Sequence, residues 1–138
     1  MSRFLLAGIL IAASLQLGAA QARAQADSGV YAEAQAARGQ ALYDEHCIVC
    51  HGAQLQGAAA AALSGATFRT RWVDGQHTLD DLFYIVRTQM PYSEPGKLNR
   101  QQYIDIIAYV LKTNGFPAGE SELPPTAAVL KKITLQAK

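Results

Sequence analysis

The only two cysteines of the chain, Cys47 and Cys50, lie three positions apart, and His51 follows directly. Two thiols and an imidazole at this spacing can form a redox disulfide, ligate a metal ion or carry a covalent cofactor. A structural zinc site needs further ligands from a second Cys/His pair, which the sequence does not offer. A thioredoxin-like dithiol belongs to a βαβ pattern, and none surrounds these residues. The motif therefore favours attachment of a cofactor.

A covalently attached haem accounts for all three residues at once. Each thiol adds across one vinyl group of the porphyrin to form a thioether, and the two-residue spacer lets one short turn present both sulfurs to the same edge. The adjacent imidazole then lies beneath the iron as its proximal ligand. We therefore predict one haem c, attached through Cys47 and Cys50 and ligated by His51, with a free or disulfide-bonded thiol pair as the alternative.

One methionine is available for the sixth position of such an iron. Apart from Met1, the chain contains only Met90, and Pro91 follows it at the end of a predicted helix. A thioether opposite an imidazole favours the ferrous state and raises the reduction potential. We predict Met90 as the distal ligand, with a methionine that only fills core volume as the alternative. His46 is expected to face away from the iron, and His77 to lie solvated in a turn.

Three helices are predicted to frame this site. Residues 33–47 are good helix formers without proline, and their apolar members recur at helical spacing. Capping signals predict a second helix over residues 79–87 and a third that follows Asn99 and stops at Asn114. Gly39 would destabilise an isolated first helix, so we expect the third helix to cross it closely. Residues 51–77 are rich in Gly and Ala without a long helical stripe, which predicts loops around the cofactor.

The first 24 residues have the layout of a secretory signal peptide. Arg3 precedes an apolar run over residues 4–17, and small residues near Ala24 suit cleavage. The run is short for a bilayer span, so an uncleaved membrane anchor is the alternative. A cleaved leader predicts a periplasmic protein, and the periplasm is the compartment in which haem c is attached.

The chain around the Cys/His motif resembles class I cytochromes c, and more narrowly the monohaem cytochromes that accept electrons from periplasmic quinoprotein (PQQ-dependent) dehydrogenases. The resemblance extends over residues 36–123. The motif that begins at Asn114 is the one that narrows it from class I cytochromes c to the quinoprotein-associated group. The resemblance is carried by Gly39-x-x-Leu42-Tyr43, Cys47-x-x-Cys50-His51-Gly52, Leu63-Ser64-Gly65, Asp81-Leu82-Phe83, Met90-Pro91, Tyr103-x-Asp105-Ile106-x-Ala108-Tyr109 and Asn114-Gly115-Phe116-Pro117-Ala118-Gly119.

This resemblance implies an all-α cytochrome c fold, in which three main helices and their loops wrap around one covalent haem. It implies an electron-transfer protein rather than an enzyme. Single electrons would come from a redox protein, in the narrower group a quinoprotein dehydrogenase, and pass toward a terminal oxidase or another cytochrome.

The resemblance also implies roles for residues outside the motif. Trp72 matches an aromatic residue of the family near a haem propionate, and Arg69 or Arg71 is a candidate to pair with a propionate. A proline of the family commonly offers its carbonyl to the proximal imidazole, and Ala61 occupies the matching position. Ala61 retains the carbonyl that orients His51 but lacks the rigidity of proline.

The 138 residues suit one domain with two extensions. We divide them into a signal peptide (1–24), an N-terminal extension (25–35), a cytochrome c domain (36–120) and a C-terminal tail (121–138). The tail is either a docking segment or a solvated extension. No block of like charge and no basic face is visible, so we predict no nucleic-acid partner, and a membrane association only if the leader is retained.

Two other functions stay open. A small haem enzyme or gas-binding protein would leave the iron open and use a distal base, but the neighbours of Met90 offer only Gln89, Tyr92, Ser93 and Glu94. A cytochrome subunit fixed in a larger redox complex would share the electron chemistry and differ only by an interface.

Overall fold

The computed structural model describes residues 29–136, and within that range it contains helices and no β-strand. This confirms the all-α fold class. Residues 1–28, which include the predicted signal peptide, lie outside the described residues, and no helix within 29–136 combines the length and hydrophobicity needed to cross a membrane. The helices are α1 (Glu33–His46), α2 (Ile48–His51), α3 (Gly65–Trp72), α4 (Leu79–Gln89), α5 (Arg100–Thr113) and α6 (Ala127–Leu130).

Helices α1 and α5 cross in direct backbone contact at Gly39. A Cβ atom added to Gly39 would lie 1.8 Å from the backbone oxygen of Asp105 on α5. Only a hydrogen atom fits in this space, so glycine is required by the approach of the two backbones. The close crossing predicted from the sequence is confirmed, and Ala36, Tyr43 and Ile107 are buried around it.

Helix α4 begins at the predicted capping signal. The Thr78 hydroxyl accepts from the Asp81 amide, and the Asp81 carboxylate accepts from the Thr78 amide. This reciprocal pair satisfies amides that the first turn of a helix leaves free. The helix buries Leu79, Leu82 and Phe83 and ends at Gln89, two residues later than predicted, with Met90 as its C-cap residue.

Helix α5 is the most deeply buried helix among the described residues. Asn99 and Gln102 form the same kind of capping pair, as predicted, and Asn114 is the C-cap residue. Eight of the fourteen residues of this helix are buried, against three of eleven in α4. Helix α4 is therefore less deeply buried than α5, which crosses α1 in close backbone contact.

The segment between the motif and α4 contains a helix that the sequence pattern did not predict. We expected only loops there, but Gly65–Trp72 forms α3. Its buried face consists of Phe68 and Trp72, one turn apart. Two apolar residues are too few to produce a recognisable stripe, so burial against the rest of the fold is what forms this short helix.

The described parts of both extensions, residues 29–35 and 121–136, pack on the domain. The Tyr31 hydroxyl donates to the carbonyl of Phe116 at 2.7 Å. In the tail, Leu123, Leu130 and Leu135 are buried, so the interpretation of this segment as a solvated extension is wrong. These leucines lie at irregular spacing around a four-residue helix, which is why no periodic signal marked them in the sequence.

Candidate haem site

The Cys/His motif lies where α1 ends and α2 begins. The Cys47 amide still donates to the Tyr43 carbonyl at 2.8 Å, and the amides of Cys50 and His51 turn back to the Cys47 carbonyl. One tight turn therefore carries both thiols and the imidazole. Cys47 is half-buried, Cys50 is exposed, and neither forms a disulfide.

The His51 side chain is buried and oriented by a backbone carbonyl. Its Nδ1 atom lies 2.8 Å from the Ala61 oxygen. Because a carbonyl oxygen can only accept a hydrogen bond, Nδ1 carries the proton and Nε2 keeps a free lone pair. This is the tautomer that a metal ligand requires, and the contact is the one that the resemblance implied for Ala61.

The loop that supplies Ala61 is fastened to the motif by backbone hydrogen bonds. The Gly57 amide donates to the His51 carbonyl at 2.8 Å, and the Ala60 amide donates to the Cys50 carbonyl at 2.9 Å. The buried Tyr43 hydroxyl donates to the Gly52 carbonyl at 2.7 Å. The position of Ala61, and with it the orientation of the imidazole, is thus maintained without a proline.

Asn114 has a role here that the sequence reasoning missed. From the sequence, we used Asn114 as a helix stop and as part of a family motif, but its side chain is buried and reaches the far end of the same loop. Its Nδ2 donates to the Leu63 carbonyl at 2.9 Å, and its Oδ1 accepts from the Gly65 amide at 3.1 Å. The only sequence signal was an amide residue in the asparagine-glycine pair that closes α5.

The Cys47 thiol does not have the properties of a redox-active cysteine. Burial, with a smaller contribution from Cys50, raises the pKa of the Cys47 thiol to about 11. Catalytic dithiols lower the pKa of the attacking thiol, because the thiolate is the reactive form. The raised pKa and the all-α surroundings both argue against a disulfide exchange site.

The main chain of Met90 is held by α5. The Tyr103 hydroxyl donates to the Met90 carbonyl at 2.7 Å and accepts from the Leu98 amide at 3.3 Å. The buried Tyr103 hydroxyl thus binds both the beginning and the end of the loop between α4 and α5. From the sequence, we used Tyr103 only as part of a family motif and missed this contact. The role of Met90 as an iron ligand stays a prediction.

The residues proposed for the propionates separate into two groups. The Arg71 guanidinium lies 5.1 Å from the ring centroid of the buried Trp72. Arg69 points elsewhere, with Nη2 3.4 Å from the Asn114 carbonyl. Of the two arginines, Arg71 is therefore the one that lies beside Trp72. Contact of Trp72, Arg69 or Arg71 with a propionate stays a prediction.

The two other histidines interact with neighbouring acids. His46 Nε2 lies 3.5 Å from a Glu45 oxygen, and His77 Nδ1 lies 2.7 Å from an Asp74 oxygen. Hydrogen bonds from the amides of His77 and Gln76 lower the pKa of Asp74 to about 2. His77 is half-exposed in the turn before α4, where the sequence predicted it. Within residues 29–136 there is no group of three or more His, Cys, Asp or Glu side chains placed to bind a metal ion.

These residues fit a covalent haem. Two thiols free of a disulfide, a buried imidazole with one nitrogen free for iron and a methionine thioether are the groups that haem c attachment and ligation use. Several hydrophobic side chains pack against the core but stay partly exposed, which leaves part of their surface free to contact a large apolar cofactor. They are Leu42, Ile48, Leu63, Ile85, Val86 and Phe116.

An all-α domain with this motif turn and oriented imidazole defines the class of c-type cytochromes, which transfer electrons through covalently bound haem c. The chain belongs to a family of that class, because the family model described as cytochrome C oxidase, cbb3-type, subunit III matches residues 34–110, more than half of its length. Comparisons with curated proteins and with solved structures found no match.

Proposed function

We propose that this protein is an exported electron carrier with one haem c, whose iron is ligated by His51 and Met90. The observation that supports this most directly is the His51 ring, which holds the Ala61 carbonyl at 2.8 Å through Nδ1 and keeps Nε2 free. When bound, the haem would supply a one-electron iron couple. The chain would hold both ligands in place, so that little rearranges when an electron arrives or leaves.

The residues next to Met90 support a carrier over an enzyme with an open iron. Glu94 is paired with Lys97 at 2.7 Å, and both side chains are exposed. Tyr92 is 86% exposed and so is directed to solvent. A distal acid or base would instead be expected to be buried and aimed at the sixth position.

We also propose a periplasmic location, a quinoprotein dehydrogenase as electron donor and a terminal oxidase or another cytochrome as acceptor. The predicted leader and the resemblance support these partners. Val49 and Tyr92 are the most exposed large hydrophobic residues of the described chain, at 83% and 86%. Val49 lies between the two cysteines and Tyr92 lies two residues after Met90, so we place partner docking at these two side chains, next in sequence to the residues that would hold the haem.

A cytochrome fixed in a larger complex is the second candidate. It is supported by the description of the matching family, which names an oxidase subunit. The size of the haem-containing species in an unfractionated extract of the host distinguishes the two. A free carrier migrates as a small protein, and a fixed subunit migrates with its complex.

Replacing Met90 with alanine tests the ligand assignment. We expect the variant to lose the weak far-red Met-sulfur band of the ferric protein, to bind carbon monoxide when ferrous and to have a lower reduction potential, because the thioether favours the ferrous state. The measurement is the visible spectrum in both oxidation states with and without carbon monoxide. Gln89→Ala, one residue earlier and exposed, should behave like the wild type. A wild type that already binds carbon monoxide readily would contradict the assignment and favour the enzyme or gas-binding function.

Replacing Tyr92 with serine tests the docking surface. We expect kcat/KM for reduction by a quinoprotein dehydrogenase to fall about tenfold, because exposed aromatic residues commonly dominate binding energy at interfaces. The reduction potential should not change. Tyr84→Ser is the matched control, because Tyr84 is also exposed, at 58%, but lies on the outside of α4. Equal rates for both variants and the wild type would place docking elsewhere.

A further inference from the structure

Residues 119–136 form a C-terminal strap that extends over three parts of the domain. The strap follows the region matched by the family model, which ends at residue 110. It begins with a β-bridge between Gly119 and Ala32, and it ends with a second β-bridge between Thr134 and Thr78. The strap therefore connects the segment before α1 with the segment before α4.

The first half of the strap is fixed to helices α1 and α5. The buried Gln35 side chain binds both backbone groups of Leu123, with Nε2 donating to its carbonyl at 2.9 Å and Oε1 accepting from its amide at 2.8 Å. Arg38 joins Glu122 of the strap to Asp105 of α5 through ion pairs of 2.9 and 3.0 Å. This part of the strap has a firm anchor.

The second half of the strap holds the beginning of α4. The Leu79 amide, at the first residue of α4, donates to the Ile133 carbonyl at 2.8 Å. Leu79, Leu130 and Leu135 are almost completely buried, with exposures of 0%, 0% and 4%. Backbone pairing and apolar burial thus attach α4 to the strap.

A further contact connects the strap to the middle of α4. The Arg100 side chain, at the start of α5, donates from Nη2 to the Pro125 carbonyl at 2.6 Å. The same guanidinium lies 4.9 Å from the ring centroid of Phe83, which is buried on α4. Arg100 thereby packs between the strap and the face of α4 that points into the core.

We propose that the C-terminal strap is a positioning element that keeps Met90 at its place in the haem site. Helix α4 buries only three residues of its own, and Met90 is its C-cap residue. A helix with so little buried surface opens locally at a lower free energy than the rest of a domain, unless other elements hold it. The strap supplies that support, so loosening the strap increases the fraction of molecules in which α4 and Met90 have moved away. This inference rests on the proposed ligation by Met90.

Competition between Met90 and added imidazole for the ferric iron measures this opening. Leu130→Ala removes a fully buried side chain of the strap. We expect imidazole to bind this variant at least about tenfold more tightly than it binds the wild type. The reason is that a large-to-small change under α4 lowers the free energy needed to move α4 away from the haem site. The far-red Met-sulfur band should weaken, while the covalent haem is retained.

Two controls separate positioning from general destabilisation. Val129→Ala changes the neighbouring residue, which is 39% exposed, and should leave imidazole affinity unchanged. Leu111→Ala removes a fully buried side chain of α5. It should lower the denaturant midpoint as Leu130→Ala does, without raising imidazole affinity. Leu135→Ala, also in the strap and less severe, should raise imidazole affinity in the same direction if Leu130→Ala does not yield folded protein.

The results distinguish the inference from the proposed function. A wild type without the far-red band overturns the Met90 ligation and the inference together. A wild type with the band, whose strap variants bind imidazole as it does, overturns the inference alone. An equal rise of imidazole affinity in Leu111→Ala and Leu130→Ala also overturns it, because the strap would then have no special effect on Met90.

Discussion

A variant in which Cys47 and Cys50 are both replaced with alanine is expected to contain no covalent haem and to fail to fold at 25 °C. These are the only thiols of the chain, so both thioether bonds are lost. Without the cofactor, partly buried side chains such as Ile48, Leu63 and Val86 keep their contacts with the core but leave the rest of their apolar surface in water. Ligands and cofactors that bind only the native state contribute their binding energy to its stability.

Haem staining after denaturing electrophoresis and far-ultraviolet circular dichroism measure the two parts of this expectation. Val49→Ala is the matched control, because Val49 lies between the cysteines and is 83% exposed. It should keep both the stain and the helical signal. A double variant that retains haem after denaturation would contradict thioether attachment. One that lacks haem but keeps a cooperative unfolding transition would show that the core is sufficient without the cofactor.

Gly39→Ala is expected to destabilise the protein by about 3 kcal/mol, at the upper end of what overpacking usually costs. The added Cβ would lie 1.8 Å from the Asp105 oxygen and 2.4 Å from its carbonyl carbon. Both atoms belong to the backbone of α5, so no side chain can rotate away, and α1 and α5 must separate. At an exposed helical position the same change would stabilise the protein by about 1 kcal/mol. A loss of stability in Gly39→Ala would therefore show that the two helix backbones are in contact.

Denaturant unfolding of the ferric holoprotein measures this change. Gln40→Ala, at the next position of α1 and exposed, should stay within about 0.5 kcal/mol of the wild type. Equal or greater stability of Gly39→Ala would show that the two backbones are not in contact in solution.

The elements predicted correctly from the sequence depend on neighbours along the chain. The Thr78/Asp81 and Asn99/Gln102 pairs each cap a helix through residues three apart, and both occur as predicted. The Cys47–His51 turn likewise depends on a fixed local spacing. Gly39 differs from these examples, because a glycine inside a helix predicted a close contact with a distant part of the chain. The atom that it contacts, the Asp105 backbone oxygen, was identified only by the structure.

The features that the sequence did not reveal depend on contacts between residues far apart in the chain. Helix α3 forms because Phe68 and Trp72 find a place in the core, and two apolar residues leave no periodic signal. The hydrogen bonds of Asn114 to the loop around Leu63 and of Gln35 to Leu123 join residues 51 and 88 positions apart. No sequence pattern indicates which distant backbone groups an Asn or Gln side chain will bind.

The sequence by itself therefore determined the chemistry of this protein, because thiols, imidazole and helix caps act at fixed spacing along the chain. Tertiary structure decided how that chemistry is held. It supplies the Asn114 side chain that holds the loop at Leu63, the Tyr103 hydroxyl that binds the Met90 carbonyl and the buried leucines of the strap. These contacts join residues that are not neighbours along the chain, so they form only when folding brings their segments within hydrogen-bonding and packing distance.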